Sequence, residues 1–238
     1  MPLTARERRS ALGEAAWASV FVTAGATLAT WALPRSWHTT VVGFVFLGAT
    51  WVLVWRGDDE RVRRAGLALG GLVIPGPLDG AAIARATARA VAWALAALAV
   101  VAVPYFLGWR AWERPALPFS LDLRPRELGS EALGQVFVIA LPEEAFYRGY
   151  LQSRLDEVWP PARRIAGAAV GPGLLVASAI FAVGHLATVR EPARLAVFFP
   201  ALLFGWIRAR TGGIGASVLL HAGCNVYSQI LGRGYGVY

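Results

Sequence analysis

Residues 135–155 read "QVFVIALPEEAFYRGYLQSRL". The stretch opens as an apolar run fit for a membrane helix, then sets Glu143, Glu144 and Arg148 where hydrocarbon contact is expected. A charge at mid-membrane costs a few kcal/mol, about 2.5–3.5 on insertion scales, so ionisable residues there face a bundle interior or a water-filled cavity. What kind of membrane chain surrounds this stretch decides what the three charges are for.

The 238 residues are 56% hydrophobic and 16% charged, with positive mean hydropathy. The apolar residues fall in long blocks separated by short arginine-bearing stretches, the pattern of an integral membrane protein. With 1.5 Å of rise per residue and roughly 30 Å of hydrocarbon to cross, about seven runs are long enough: approximately 15–33, 39–55, 89–107, 131–152, 165–187, 195–208 and 214–231. The expected fold is therefore all-α, a polytopic membrane helix bundle of about seven to eight transmembrane helices. The run "AGLALGGLVIPGPL", Ala65 to Leu78, has only fourteen residues and, unlike the other short run at 195–208, is rich in Gly and Pro. It reads as an interfacial or re-entrant segment; were it to span, everything downstream would invert. The first run continues to span length without a small-residue cleavage site and reads as a retained helix.

All 23 basic residues are arginine, and the formal net charge is +8. Together with the alanine richness this reads as the codon bias of a GC-rich bacterial genome, not as a nucleic-acid surface. The arginines report orientation. With seven spans and the N-terminus inside, the cytoplasmic segments hold Arg6, Arg8, Arg9, Arg56, Arg61, Arg63, Arg64, Arg85, Arg89, Arg154, Arg163, Arg164, Arg208 and Arg210. The opposite side holds Arg35, Arg110, Arg114, Arg124, Arg126, Arg190, Arg194 and Arg233, so the positive-inside rule favours that orientation. The single cysteine, Cys224, excludes an intramolecular disulfide and a Cys-based zinc cluster. A Pro- and charge-containing connection, "GWRAWERPALPFSLDLRPREL" at 108–128, divides the chain. Residues 1–129 form an N-terminal unit of transmembrane helices and connecting loops, and residues 130–238 a helical core that holds nearly all the embedded polar groups.

Those groups form three clusters. In "EEAFYR", Glu144 and Arg148 are four apart and share a helical face that suits an ion pair, while Glu143 is rotated by about 100°. One glutamate can thus be neutralised while the other stays free for chemistry. In "SAIFAVGH", Phe181 lies one turn before His185. In "LLHAGCNVY", His221 and Asn225 share a face, and Asn225 is the only asparagine in the chain. Taken singly, each cluster has a plain structural reading: charges at a helix end facing water, a packing histidine, polar groups holding helices together. Jointly they point to a site. The third histidine, His38, reads as part of an ordinary loop.

Amide hydrolysis needs a base to activate water, a proton donor for the leaving nitrogen and donors for the oxyanion. Glu143 with His185 can supply the first two, and His221 with Asn225 the third. HEXXH, GxSxG and a catalytic Cys–His pair are all absent from the sequence. The competing readings are a non-catalytic membrane scaffold and a proton-coupled transporter. A transporter would more often pair matching broken segments in its two halves, whereas here the polar clusters are confined to one half.

The ordered triple EExxxR ("EEAFYR"), FxxxH ("FAVGH") and HxxxN ("HAGCN") on successive hydrophobic helices resembles the CPBP family of CAAX proteases and bacteriocin-processing enzymes, also called the Abi family. The resemblance covers roughly residues 130–231 and implies an intramembrane glutamic endopeptidase. It further implies that Glu143 and His185 activate water, that His221 and Asn225 form the oxyanion hole, and that Glu144 and Arg148 support them. No cofactor is expected on this reading. A Glu/His/His set is also able to hold zinc with an open position for water, which is the alternative mechanism. The expected substrate is a membrane-associated protein or peptide, with a C-terminal tail as one form. The expected setting is the lipid bilayer of a bacterial inner (cell) membrane, with no nucleic-acid partner.

Overall fold

The structure is a computed structural model that describes residues 3–120 and 125–237. Arg124 and the side chain of Arg126, both assigned above to the arginine-poor side, lie outside the described residues, as does part of the 108–128 connection.

Helix α1, Ala5–Ala32, starts at a capping box: the Thr4 hydroxyl accepts from the Glu7 amide, and the Glu7 carboxylate accepts from the Thr4 amide at 2.7 Å. Pro34 ends it, and α2 runs over Arg35–Trp55, its last turn widened into a π-helix. The short α3, Asp59–Arg64, is capped by Asp58, which accepts from the Arg61 amide. Residues 65–78 form no spanning helix. Gly66, Gly70, Gly71 and Gly76 all take positive φ there, and a single 3-10 turn, Leu69–Gly71, is the only regular structure in the segment. Leu67 tucks inward instead, 1% exposed, against Gly149.

Helix α4, Gly80–Glu113, is capped by Asp79 and is the most peripheral. Helix α5 covers 125–158 and carries the EExxxR motif at its centre. Two π stretches, Gln135–Ala140 and Ala145–Gln152, flank Pro142, which has no N–H to return to the Val138 carbonyl one turn earlier. A short antiparallel hairpin follows, β1 Arg163–Ile165 and β2 Ala168–Val170. The chain then makes α6, Pro172–Thr188; α7, Phe198–Thr211, led in by a 3-10 turn at Pro192–Val197; and α8, Gly215–Gly234.

The seven longer helices coincide with the seven apolar runs, with one correction. The run read from residue 165 begins as the hairpin, because Ala166 and Gly167 adopt φ of 47° and 82°, the left-handed pair that a two-residue hairpin turn requires. Among the described residues four helices, Ala5–Ala32, Arg35–Trp55, Gly80–Glu113 and Pro192–Thr211, are long and apolar enough to cross a membrane. Pro172–Thr188 is apolar but has 17 residues, about 26 Å of helix.

The bundle buries a small polar group within an apolar core and is apolar outside. Helix α5 runs through the middle, and Ala145 to Gln152 are all buried. Ala15 and Val22 of α1, Phe46 of α2, Phe146 of α5, Phe181 of α6 and Val218 of α8 share one hydrophobic cluster. Phe21, Phe44, Val100, Phe137 and Phe199 point outward, each more than half exposed. Such a rind suits lipid, where apolar surface carries no cost, and the chain is an integral membrane protein.

Candidate active site

Glu144 and Arg148 are 0% and 1% exposed, and Arg148 Nε lies 3.4 Å from Glu144 Oε2. The (i, i+4) ion pair expected from the sequence is present at the core of the bundle. Arg148 extends past it: Nη2 donates to the Ala201 carbonyl of α7 at 3.2 Å, and the guanidinium sits 4.7 Å from the centre of the Phe181 ring. Glu144 is held from the other side by α8. His221 Nδ1–H donates to Glu144 Oε1 at 3.0 Å, and the imidazole stacks on Phe204 with centroids 4.7 Å apart. With Nδ1 committed, His221 turns Nε2 toward Glu143, 4.0 Å from its Oε2. Arg148, Glu144, His221 and Glu143 thus form a continuous polar chain from α7 into α8.

Glu143 is handled differently from its neighbour. Its Oε2 is buried but makes no hydrogen bond among the described residues. Its side chain lines a cavity of about 190 Å³ shared with His185, Tyr147 and Gly184. At roughly 30 Å³ per water, that volume holds several waters beside the carboxylate. His185 Nδ1 lies 3.0 Å from the Phe181 carbonyl, a contact only an N–H can make. In the neutral ring Nε2 is therefore the free acceptor.

Asn225, one turn beyond His221, is not part of that cavity's lining. Its Nδ2 donates to Gln135 Oε1 of α5 at 2.9 Å, which leaves one further amide hydrogen. So the fold brings Glu144, Arg148 and His221 into one network with Glu143 at its end, sets Glu143 and His185 on a common cavity, and anchors Asn225 to Gln135 at the flank. The larger cavity, about 450 Å³, lies between the starts of α4 and α8 and includes none of these six residues.

Two participants were not read from the sequence. Gln135 is 7% exposed, and the available signal was a lone amide at the head of an apolar run. His38 is a correction: it lies in the second turn of α2, not in a loop, and lines the same cavity as Glu143 and His185. Its Nε2 is 2.8 Å from the Leu33 carbonyl, one of the carbonyls that the end of α1 leaves without a helical donor. Zinc asks for at least three donors around one point at about 2.0–2.3 Å. Among the described residues no three His, Cys, Asp or Glu side chains form a group of that kind.

A polytopic helical membrane protein with a buried carboxylate–imidazole network is the class that fold and site define. Within it, residues 126–227 match the family described as type II CAAX prenyl endopeptidase Rce1-like. That segment, which contains all six residues singled out from the sequence, belongs to the CPBP family. Neither the curated proteins nor the solved structures yield a match.

Proposed function

We propose that the chain is an intramembrane glutamic endopeptidase of a bacterial cell membrane, hydrolysing a peptide bond in a membrane-associated protein or peptide. The observation that carries this reading is the unequal treatment of two adjacent glutamates. Glu144 is sealed and neutralised between Arg148 and His221, whereas Glu143 Oε2 is unbonded beside a water-sized cavity. A carboxylate oxygen without a hydrogen bond, beside a cavity able to hold water, is placed to act as a base. The description of the matched family, a prenyl endopeptidase, supports peptide-bond cleavage at a membrane.

In the proposed reaction Glu143 and His185 Nε2 align a water molecule. Glu143 takes one proton as the water oxygen bonds to the scissile carbonyl carbon. The carbonyl oxygen gains the negative charge, and His221, doubly protonated with Nδ1–H on Glu144, donates Nε2–H to it. Asn225 adds its second amide hydrogen. Glu143 then returns the proton to the leaving nitrogen, the C–N bond breaks as the carbonyl re-forms, and a carboxylic acid and an amine result; the acid's proton passes to the amine, leaving a carboxylate and an ammonium. Residues 130–238 supply this chemistry and residues 1–129 enclose it.

The test compares the cleaved termini of the membrane proteome in cells carrying wild-type protein and Glu143→Gln. Purified enzyme is assayed in parallel with and without a strong chelator. Expected are loss of the enzyme-dependent termini in Glu143→Gln and chelator-resistant activity in wild type. Near-normal turnover by folded Glu143→Gln refutes the base assignment, and chelator-reversible loss in wild type replaces it with the zinc mechanism.

A further inference from the structure

The cavity that holds Glu143 and His185 has a direction. Its lining runs along α1 through Thr23 and Thr30, which lie on one helical face. It continues through His38 and Thr39 at the start of α2 and reaches Thr188, the last residue of α6. All of these approach one end of the bundle, where α1 ends, α2 begins and α6 ends. That end is fastened together: Trp31 Nε1 donates to the Thr188 carbonyl at 3.4 Å, and the Arg190 guanidinium lies 3.9 Å from the centre of the Trp31 ring. Toward the opposite end the way from Glu143 is filled. Phe146, Arg148, Leu151 and Gln152 are each no more than 1% exposed. Threonine hydroxyls and an imidazole along the open side also suit a path that carries water into a hydrocarbon-depth site.

The two ends differ in charge. The closed end gathers the N-terminus of α1, all of α3 and the C-termini of α5 and α7. There Arg154 and Arg61 pair with Glu14 at 2.8 and 3.4 Å, and Arg208 Nη2 donates to the Arg64 carbonyl at 3.0 Å. This is the end that holds the larger share of the arginines, and arginine excess marks the cytoplasmic side.

We infer that the cavity of Glu143 and His185 is entered from the arginine-poor, extracytoplasmic face of the membrane. The peptide bond it cuts then belongs to a segment presented on that face, at the outer end of a membrane-anchored chain. This rests on the peptidase reading for what is cut, but not for which face the cavity meets. A soluble cytoplasmic protein delivered by a lipid anchor would come to the arginine-rich end, where the larger cavity reaches Leu141 and Val218 but Phe146, Arg148, Leu151 and Gln152 fill the way to Glu143. A single-span protein whose tail emerges outside comes to the open one.

The test begins from Cys224→Ala, which leaves the chain without cysteine. Thr39→Cys at the cavity mouth and Arg63→Cys at the closed end are then made singly. Each is treated with a membrane-impermeant maleimide in spheroplasts and again after detergent lysis. Thr39→Cys is expected to react in intact spheroplasts and Arg63→Cys only after lysis. Reaction of Arg63→Cys in intact spheroplasts, or of Thr39→Cys only after lysis, overturns the inference. Thr188→Cys and Arg56→Cys form a second pair read by the same rule, so one misfolded variant does not remove the decision. Two single-span reporters that differ only in which face bears the tail complete the test. Cleavage confined to the outward tail supports the inference, and cleavage of the inward tail overturns it. With the expected labelling, cleavage of neither reporter overturns the peptidase reading and leaves the orientation standing.

Discussion

Replacing Arg148 by methionine removes a charge but keeps most of the side chain's volume, so it isolates the electrostatics of the buried pair. Both partners are essentially solvent-free, and their contact is 3.4 Å. At an effective dielectric near 20 the direct attraction at that separation is about 5 kcal/mol, most of it spent against the desolvation of both ions. Removing one partner of such a pair leaves the other charge buried alone and costs about 3–5 kcal/mol. Here the lower part of that range applies, because His221 Nδ1–H still donates to Glu144. The lost stacking of the guanidinium on Phe181 adds to the cost. The expected loss is about 3–4 kcal/mol, roughly 6–15 °C in Tm for a chain of this length. The double variant Glu144→Gln/Arg148→Met should lose less than Arg148→Met plus Glu144→Gln, with a coupling of about 2 kcal/mol. Thermal melts of the purified proteins in one detergent read both quantities. An Arg148→Met protein that melts with wild type, or strictly additive single variants, refutes the buried pair.

Asn225→Ala is expected to lower kcat by on the order of 10²–10³ with little change in KM, since an oxyanion donor bonds only in the transition state. Gln135→Leu should reproduce part of that loss by freeing the amide it holds. If Asn225 only joins helices, steady-state kinetics per folded molecule will show an unchanged kcat and stability will fall by about 0.6–2 kcal/mol. On the arginine-rich face, beyond the hydrophobic run of α5, burial pushes the Asp156 carboxyl up to about 6 against the opposing pull of Arg208. A carboxyl raised in the folded state binds its proton more tightly there than when unfolded, so its contribution favours folding at low pH and is lost as pH rises through 6. Asp156→Asn should therefore raise Tm relative to wild type at pH 7.5, by the equivalent of about 1–2 kcal/mol, and leave it unchanged at pH 4. A pH-independent difference in melting curves would show that the carboxyl titrates normally. Within α2, two glycines should respond with opposite signs. A Cβ at Gly43 would stand 2.8 Å from the Val138 carbonyl of α5, while one at Gly48 meets nothing within 4 Å. Gly43→Ala should destabilise by about 1–2 kcal/mol through forced separation of the helices, and Gly48→Ala should stabilise by about 0.5–1 kcal/mol through helix propensity. Shifts of the same sign would remove the close α2–α5 approach.

The helices were legible as long apolar runs, although among the described residues only four of them are long and apolar enough to span. Where the reading slipped at residues 165–170, "IAGAAV" is as apolar as a helix but turns at Ala166–Gly167. Hydropathy counts apolar side chains and carries no information on φ. The pairing of Glu144 with Arg148 was legible because (i, i+4) spacing is a property of one helix. The contacts of His221 with Glu144 and of Asn225 with Gln135 join residues 77 and 90 positions apart. Periodicity gives the face of each helix but not which faces meet. His38 was missed for the same reason. Four residues after Pro34 it has the look of a loop, and only the docking of α2 against α1 and α5, with α1 in turn against α6, brings it to the cavity.

The segment that matches the family, 126–227, contains every group proposed to act on the substrate, yet it does not enclose its own site. Helix α5 contributes Glu143 and α6 contributes His185. On the remaining side, Thr23 and Ala26 of α1 with His38 and Val42 of α2 close the cavity. The bond between Trp31 and the Thr188 carbonyl and the seating of Gly43 on Val138 fix those walls against the chemistry-bearing helices. Without them Glu143 would face lipid, where an ionised carboxylate is at its most costly and water is scarce. On the proposed reaction the N-terminal helices therefore decide what reaches Glu143: water and a peptide would enter along the threonine-lined side, with hydrocarbon excluded. The proposed reaction thus places chemistry and substrate access in different halves of the chain, and substitutions at Thr23, Thr30 or Thr39 are expected to act on the second while leaving the Glu144–Arg148–His221 network untouched.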